Sequence, residues 1–229
     1  MGRRKLCATS AVGPDSDRVL MAANDWLAER RTEVAADRIL DAAEELFTRH
    51  DPGSVGMNEI AKAAGCSRAT LYRYYENREA LRTAYVNRET YRLFDAIKEL
   101  ISGIADPRER LSAGIATTLR LVRESPALSS WFATTQPPIG GELAEQSDVI
   151  TALAAAFVNS LGADDPAVVE SRGRWLVRVI TSLLIFPGRD LADEQAMVEE
   201  FDVPIVVPVE HPAGHTAGIS AAHAGEAVQ

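Results

Sequence analysis

Residues 57–81, MNEIAKAAGCSRATLYRYYENREAL, constrain this chain more than any other stretch. The spacing predicts two short helices joined by a tight turn, then the start of a third. Ile60 and Ala61 share one face of the first of these helices, and the small side chain of Ala61 lets a second helix cross closely. Gly65 marks a sharp turn, where only glycine takes the required backbone angles cheaply. Ser67 is placed to cap the second helix by accepting from a free N–H near its start. Leu71 returns an apolar side chain to the first helix. This is a helix-turn-helix layout, in which the second helix enters the major groove of DNA.

The outward face of that second helix points the same way. Arg68, Thr70, Tyr72, Arg73 and Tyr74 crowd one short segment. An arginine forks onto a guanine edge or holds a phosphate, hydroxyls suit phosphates, and tyrosine rings touch thymine methyls. The competing reading is a solvated helix with a tyrosine-rich core edge. The turn and both helix faces agree on the DNA reading.

Together with the preceding run Arg38–His50 (RILDAAEELFTRH), the stretch resembles the DNA-binding domain of the tetracycline-repressor (TetR) family of regulators. LDAAEELF, NEIAKAAG and SRATLYRYYENREAL follow that family's pattern, and the resemblance covers residues 38–81. It implies an all-α fold of about nine helices: an N-terminal three-helix helix-turn-helix DNA-binding domain over 25–77 and a C-terminal helical ligand-binding and dimerisation domain over 78–207. It implies contacts to a double-stranded DNA operator from Gly56, Ser67, Arg68, Ala69, Thr70, Tyr72, Arg73, Tyr74 and Arg78. Arg68, Tyr72 and Arg73 are expected to read bases, with Thr70, Tyr74 and Arg78 on phosphates. The family commonly has Thr or Ser where this chain has Gly56, so one phosphate contact is lost there or passes to backbone N–H groups.

The resemblance further implies a homodimer, with the eighth and ninth helices pairing with their two-fold mates in a four-helix bundle. Symmetry then sets two recognition helices roughly 34–36 Å apart, one DNA turn, on a near-palindromic operator. A cavity for a small-molecule effector is expected among the fourth to eighth helices. Tyr91, Phe94, Trp131, Phe132, Phe157 and Trp175 are the large residues available to line it, and Arg120, Arg123 or Arg178 to anchor a polar group. For each of these, ordinary core packing is the alternative. The apolar bias points to a largely apolar ligand.

The net charge of −9 argues at first against a DNA binder. Distribution decides better than the sum. Between Lys62 and Arg92 seven basic residues face only Glu76, Glu79 and Glu89, and phosphate attraction is local and salt-screened. The acidic remainder disfavours indiscriminate sticking to nucleic acid.

Taken in order, residues 1–24 are expected to be a disordered extension, with Gly, Ser, Pro and Asp interspersed without period. Met21 is an alternative start to Met1, and Arg30 and Arg31 are better placed than Arg3–Lys5 for a minor-groove arm. The first helix is read over Thr32–His50 from the stripe Ile39, Leu40, Ala43, Leu46 and Phe47, and Asp51-Pro52-Gly53 stops it. Asn77 caps a long fourth helix, Arg78 to about Ser102, which bridges both domains as the candidate lever. Asp106-Pro107 and Ser125-Pro126 start the fifth and sixth. After the break at 136–141, a seventh helix is expected over Glu142–Leu161, an eighth from Asp165-Pro166 to Phe186, and a ninth from Asp190 to near Pro204. Val203–Val209 is left irregular because it carries Pro204 and Pro208, and 208–229 is read as a disordered tail.

Nothing in the sequence calls for a cofactor or a metal. Cys7 and Cys66 form no ligand pattern; Cys66 is read as a packing residue, with a redox-sensing thiol as the alternative. His211 and His215 could hold a metal, but their Ala- and Gly-rich surroundings read as unstructured. No nucleophile–base–acid set or phosphate-cradling loop appears, so an enzyme is not expected. No run spans a bilayer and no signal peptide is evident, which implies a cytoplasmic protein. The alternatives are a helical ligand-binding or adaptor protein without DNA binding, and a small helical enzyme.

Overall fold

The computed structural model describes residues 14–133, 139–162 and 164–207, and side chains from residue 30 onward. Their regular structure is helical: α1 (Pro14–Phe47), α2 (Met57–Ala63), α3 (Arg68–Tyr74), α4 (Arg78–Leu100), α5 (Pro107–Glu124), α6 (Pro126–Ser129), α7 (Ile139–Gln146), α8 (Asp148–Leu161), α9 (Pro166–Ile185), α10 (Leu191–Met197) and α11 (Val203–Val206). A 3-10 turn over Ser130–Phe132 extends α6, and a π-helical turn over Val198–Asp202 joins α10 to α11. The expected all-α architecture is present.

Three boundaries differ from the sequence reading. The first helix starts at Pro14 rather than Thr32, so it absorbs residues expected to be disordered. Proline suits a first helical turn, where its missing N–H has no partner to lose. The expected seventh helix is two, because the Ser147 hydroxyl accepts from Ile150 N–H and restarts the chain as α8. The segment left irregular because of Pro204 holds α11, with that proline in its first turn, where no N–H is needed. The expected tail over 208–229, with His211 and His215, and the N-terminal Cys7 and Arg3–Lys5 lie outside the described residues.

Two apolar cores hold the helices. The first joins Ile39, Leu40, Ala43 and Phe47 of α1 to Ile60, Ala61 and Leu71 of α2 and α3, and to Leu81 and Tyr85 of α4. It also takes in Ala127 and Trp131 beyond α5, so this N-terminal core is closed partly from the C-terminal half. The second core packs Leu111, Ile115 and Leu119 of α5 with Val158 and Leu161 of α8, Leu176 and Leu183 of α9, and Val203 and Val206 of α11. Each such aliphatic side chain contributes roughly 1.5–3 kcal/mol of burial free energy. The helices α8 and α9 approach closely at Gly173, where a Cβ would sit 2.8 Å from the Ala155 backbone nitrogen. The first eight residues of α4 serve the N-terminal core; its later turns wall the C-terminal half.

Candidate nucleic-acid interface and ligand cavity

The chain reverses between α2 and α3 by one glycine. Gly65 has φ +67°, and its N–H donates to the Lys62 carbonyl at 3.2 Å while Cys66 N–H donates to the Ala61 carbonyl at 3.0 Å. These are the two bonds of a Schellman ending, which needs a left-handed residue at that point. Ser67 Oγ then accepts from Thr70 N–H at 3.0 Å and starts α3. Leu71 is fully buried beneath it. Cys66 is half-buried against the same core.

With Leu71 inward, Arg68, Ala69, Tyr72 and Arg73 face outward and are exposed. Arg68 Nη2 donates to the Tyr72 hydroxyl at 3.3 Å, and its guanidinium lies 5.2 Å from that ring's centroid. Arg73 lies 5.5 Å from the Tyr74 ring centroid. Stacking on an aromatic face orders a guanidinium without neutralising it. Among the described residues neither arginine has a carboxylate partner. The surface is a short rod carrying two ordered, unspent cations.

Other expected contact residues are partly committed. Ser67 Oγ and Thr70 Oγ1 share a bond of 2.9 Å. Tyr74 packs against the N-terminal core. Gly56 N–H donates to Glu59 Oε2 at 2.8 Å, so a carboxylate occupies one of the backbone donors at the start of α2 to which a phosphate contact could have passed. Arg78 Nη1 donates to the Gly53 carbonyl at 3.0 Å, fastening the first turn of α4 to the turn after α1. Arg82, buried, holds the neighbouring Pro52 carbonyl.

The local excess of basic residues therefore shrinks. Arg82 is buried, and Arg88 is enclosed by three acids, of which Asp41 and Glu44 lie outside the counted stretch. Arg88 Nη1 reaches Asp41 at 2.7 Å, its Nη2 reaches Glu44 at 3.1 Å, and its Nε reaches Glu89 at 3.0 Å. Arg92 joins Glu89 at 2.9 Å. Burial opposes the charge on Arg88, but the Asp41 bond and the Glu89 carboxylate outweigh it and hold its pKa above the usual value. Sequence reasoning missed this knot because its partners sit on different helices. It ties α1, beneath the recognition surface, to α4.

Glu89 also lines a cavity of about 620 Å³ walled by α4, α5, the 3-10 turn, α7, α8 and α9. Of the expected lining residues, Phe94, Trp131, Phe132 and Phe157 are there. The others are not. Tyr91 is exposed, and Trp175, 41% exposed, donates from Nε1 to Asp202 Oδ1 at 3.1 Å on the outer side of α9. The three expected anchors are engaged elsewhere. Arg120 pairs with Glu124 at 2.9 Å, Arg178 with Glu145 at 2.8 Å, and Arg123 with Glu194 at 2.7 Å. The polar groups that do face the cavity include Lys98, Arg110 and the hydroxyls of Thr90 and Thr118.

Trp131 connects this cavity to the N-terminal core. Its ring stacks on Tyr85 at 5.8 Å and meets Phe47 edge-on at 5.1 Å. The Trp131 Nε1 and Tyr85 hydroxyl are buried without a hydrogen-bond partner among the described residues. On the outside, Val168, Trp175, Phe201 and Ile205 leave an apolar surface along α9 and the segment that follows α10. Among the described residues no cluster of three or more His, Cys, Asp or Glu could hold a metal, and no helix is long and apolar enough to cross a membrane.

Residues 39–85 match the family model described as bacterial regulatory proteins, tetR family. Over 198 residues the chain is 67% identical to the uncharacterized HTH-type transcriptional regulator Rv1255c of Mycobacterium tuberculosis (strain ATCC 25618 / H37Rv), covering 85% of this chain and 98% of that protein. Among solved structures, the TetR family repressor AlkX from Dietzia sp. strain DQ12-45-1b is similar at TM-score 0.57 and 22% identity, over 74% of this chain and 93% of that one. The Thermus thermophilus repressor FadR, solved in complex with lauroyl-CoA, is similar at TM-score 0.55 and 25% identity, over 79% of this chain and 99% of that one.

Proposed function

Because the chain belongs to the tetR family of bacterial regulatory proteins, we propose that this transcriptional regulator is a homodimeric repressor released from a near-palindromic operator by a small, largely apolar effector. The observation that carries the reading is the outer face of α3, where Arg68 and Arg73 are ordered by tyrosine rings and left without carboxylates. Arg68, Tyr72 and Arg73 read bases. Thr70, Tyr74 and Arg78 approach phosphates, with Gly56, Ser67 and Ala69 close to the backbone. The apolar outer side of α9 and its sequel meets the same surface of a second copy, which fixes two recognition helices roughly 34–36 Å apart.

The effector occupies the cavity beside α4. It releases DNA only if it prefers the spacing of the two heads that does not fit the operator. Glu89 and Trp131 are the wall residues that reach α1, through Arg88 and through Phe47 respectively. The test is a gel-shift on DNA from the regulator's own upstream region, with the full chain and with Arg68→Ala. Wild-type binding lost in the variant supports the reading; equal binding by both sinks it.

A second reading, a helical ligand-binding protein without DNA binding, draws on the Glu59 carboxylate at the start of α2. Titration with random duplex DNA at low salt separates the two, since an operator-binding protein retains a non-specific, salt-dependent affinity.

A further inference from the structure

We infer that the cavity takes a long-chain amphiphile with an anionic head, seated with the head between Lys98 and Arg110 and the tail running along α4 to Trp131; the inference rests on the reading of this cavity as the effector site. Helix α4 lines the cavity over more than three of its turns. Along α4 the lining runs from Val86 to Lys98, and twelve residues of helix span about 18 Å at 1.5 Å per residue. Between them the wall is made of side chains such as Phe94, Ile97 and Phe157.

The two ends differ in charge and in access. At the outer end Lys98 and the nearby Ser160 are exposed. Arg110 is half-buried there, with Nη2 on the Ser160 carbonyl and its Nε buried without a partner. Among the described residues neither Lys98 nor Arg110 has a carboxylate partner. By contrast Arg123, on the same helix as Arg110, is paired with Glu194, and Arg88 and Arg92, on the same helix as Lys98, are paired with Glu89. A cation beside an apolar cavity and lacking a counter-charge is costly, and an anion there offsets the cost. At the inner end Trp131 is 2% exposed, and the Glu89 carboxylate is already held by Arg88 and Arg92, which leaves no unpaired cation lining that end among the described residues. Charge thus sets the orientation, and the apolar length sets the tail.

A fatty carboxylate and the phosphates of an acyl-nucleotide conjugate share this chemistry. Calorimetric titration of the full chain with dodecanoate and hexadecanoate, their coenzyme A thioesters and the matching primary alcohols separates them. The acid or the thioester is expected to bind at least about tenfold tighter than the alcohol. Lys98→Gln with Arg110→Gln abolishes that preference and leaves alcohol binding unchanged, while Lys98→Arg retains it. Retained binding to DNA by the variants reports that they are folded. A tighter thioester assigns phosphate as the head, and a tighter acid assigns carboxylate. An alcohol that matches the acid in the wild type, or a preference that survives the double substitution, overturns the inference and leaves the cavity reading standing. If no chain of any kind binds while DNA binding persists, both fall.

Discussion

Trp131 is stacked on Tyr85, with ring centroids 5.8 Å apart and planes 16° from parallel. One ring belongs to the cavity wall and the other to the N-terminal core, and Phe47 at the end of α1 meets both edge-on. A ligand that shifts the indole must move Tyr85, Phe47 or both, because close-packed aromatic clusters rearrange rather than deform. The cavity and the helix beneath the recognition surface therefore share three rings.

Trp131→Ala removes a side chain that is 2% exposed, and the expected loss is about 3–5 kcal/mol in urea denaturation. Trp131→Leu keeps an apolar side chain at this place but not the stack. Its expected signature is near-normal operator affinity with a weakened response to the effector, since coupling between two sites is worth only about 1–3 kcal/mol. A variant that is stable and responds normally would show that these rings are packing alone.

The DNA contacts proposed for Arg68 on α3 and Arg78 at the start of α4 separate by specificity. Arg68→Ala should cost about 1–3 kcal/mol on the preferred operator and relax the choice at one base pair. Arg78→Ala should weaken all duplexes alike and flatten the salt dependence. It should also lower stability, because Arg78 holds the Gly53 carbonyl at 3.0 Å. Competition gel-shifts with single-base operator variants, beside a melting curve, check all three outcomes.

Much of this was legible in the sequence because its signals are local. Gly65, Ser67 and Leu71 are fixed by a turn, a cap and a helical spacing, and the caps at Asn77, Asp106, Ser125 and Asp190 each serve an N–H within three residues. Ser147 escaped because its cap lies inside one continuous helical pattern. The fate of the arginines was mostly not legible. Arg120 meets Glu124 four residues on, a spacing that could have been read, but Glu194 lies 71 residues from Arg123 and Asp41 lies 47 from Arg88. Which arginine is neutralised and which is left for a ligand depends on helices meeting in space. Lys98 and Arg110 for that reason look like ordinary surface residues in the sequence.

The pairing of α5 with α10 should be visible in acid. Arg123 binds both oxygens of Glu194, at 2.8 and 2.7 Å, and Gly188 N–H adds a bond of 2.9 Å. The Arg123 bonds hold the Glu194 carboxyl below its ordinary pKa of 4.5, against burial, which works the other way. A depressed folded pKa gives stability that is complete above the unfolded value and is lost as pH falls through the folded one. Glu194→Gln should therefore be less stable than wild type by about 2 kcal/mol at neutral pH. The gap should narrow once the pH drops below the ordinary 4.5. A gap that is constant from pH 7 to pH 3 would place the effect in packing rather than in charge.

The apolar outer surface carries the prediction on assembly. Phe201 is 57% exposed and Ile205 50%; Phe201 lies in the turn that Trp175 pins through Asp202, and Ile205 follows it. Left in water these side chains gain nothing; in the proposed dimer each would be buried against its two-fold mate. Phe201→Glu places a carboxylate in that contact, and an unpaired buried charge costs about 3 kcal/mol or more, over a hundredfold in the dimer dissociation constant. Light scattering should then report a dimer for the wild type and a monomer for the variant. Each monomer should keep its fold, because Phe201 lies outside both cores. Operator affinity should collapse with it, since one recognition helix alone secures only a half-site. If Phe201→Glu remains a dimer, the two-fold contact lies elsewhere on the chain. If it becomes a monomer that still binds the full operator with unchanged affinity, the paired geometry is not what selects the site.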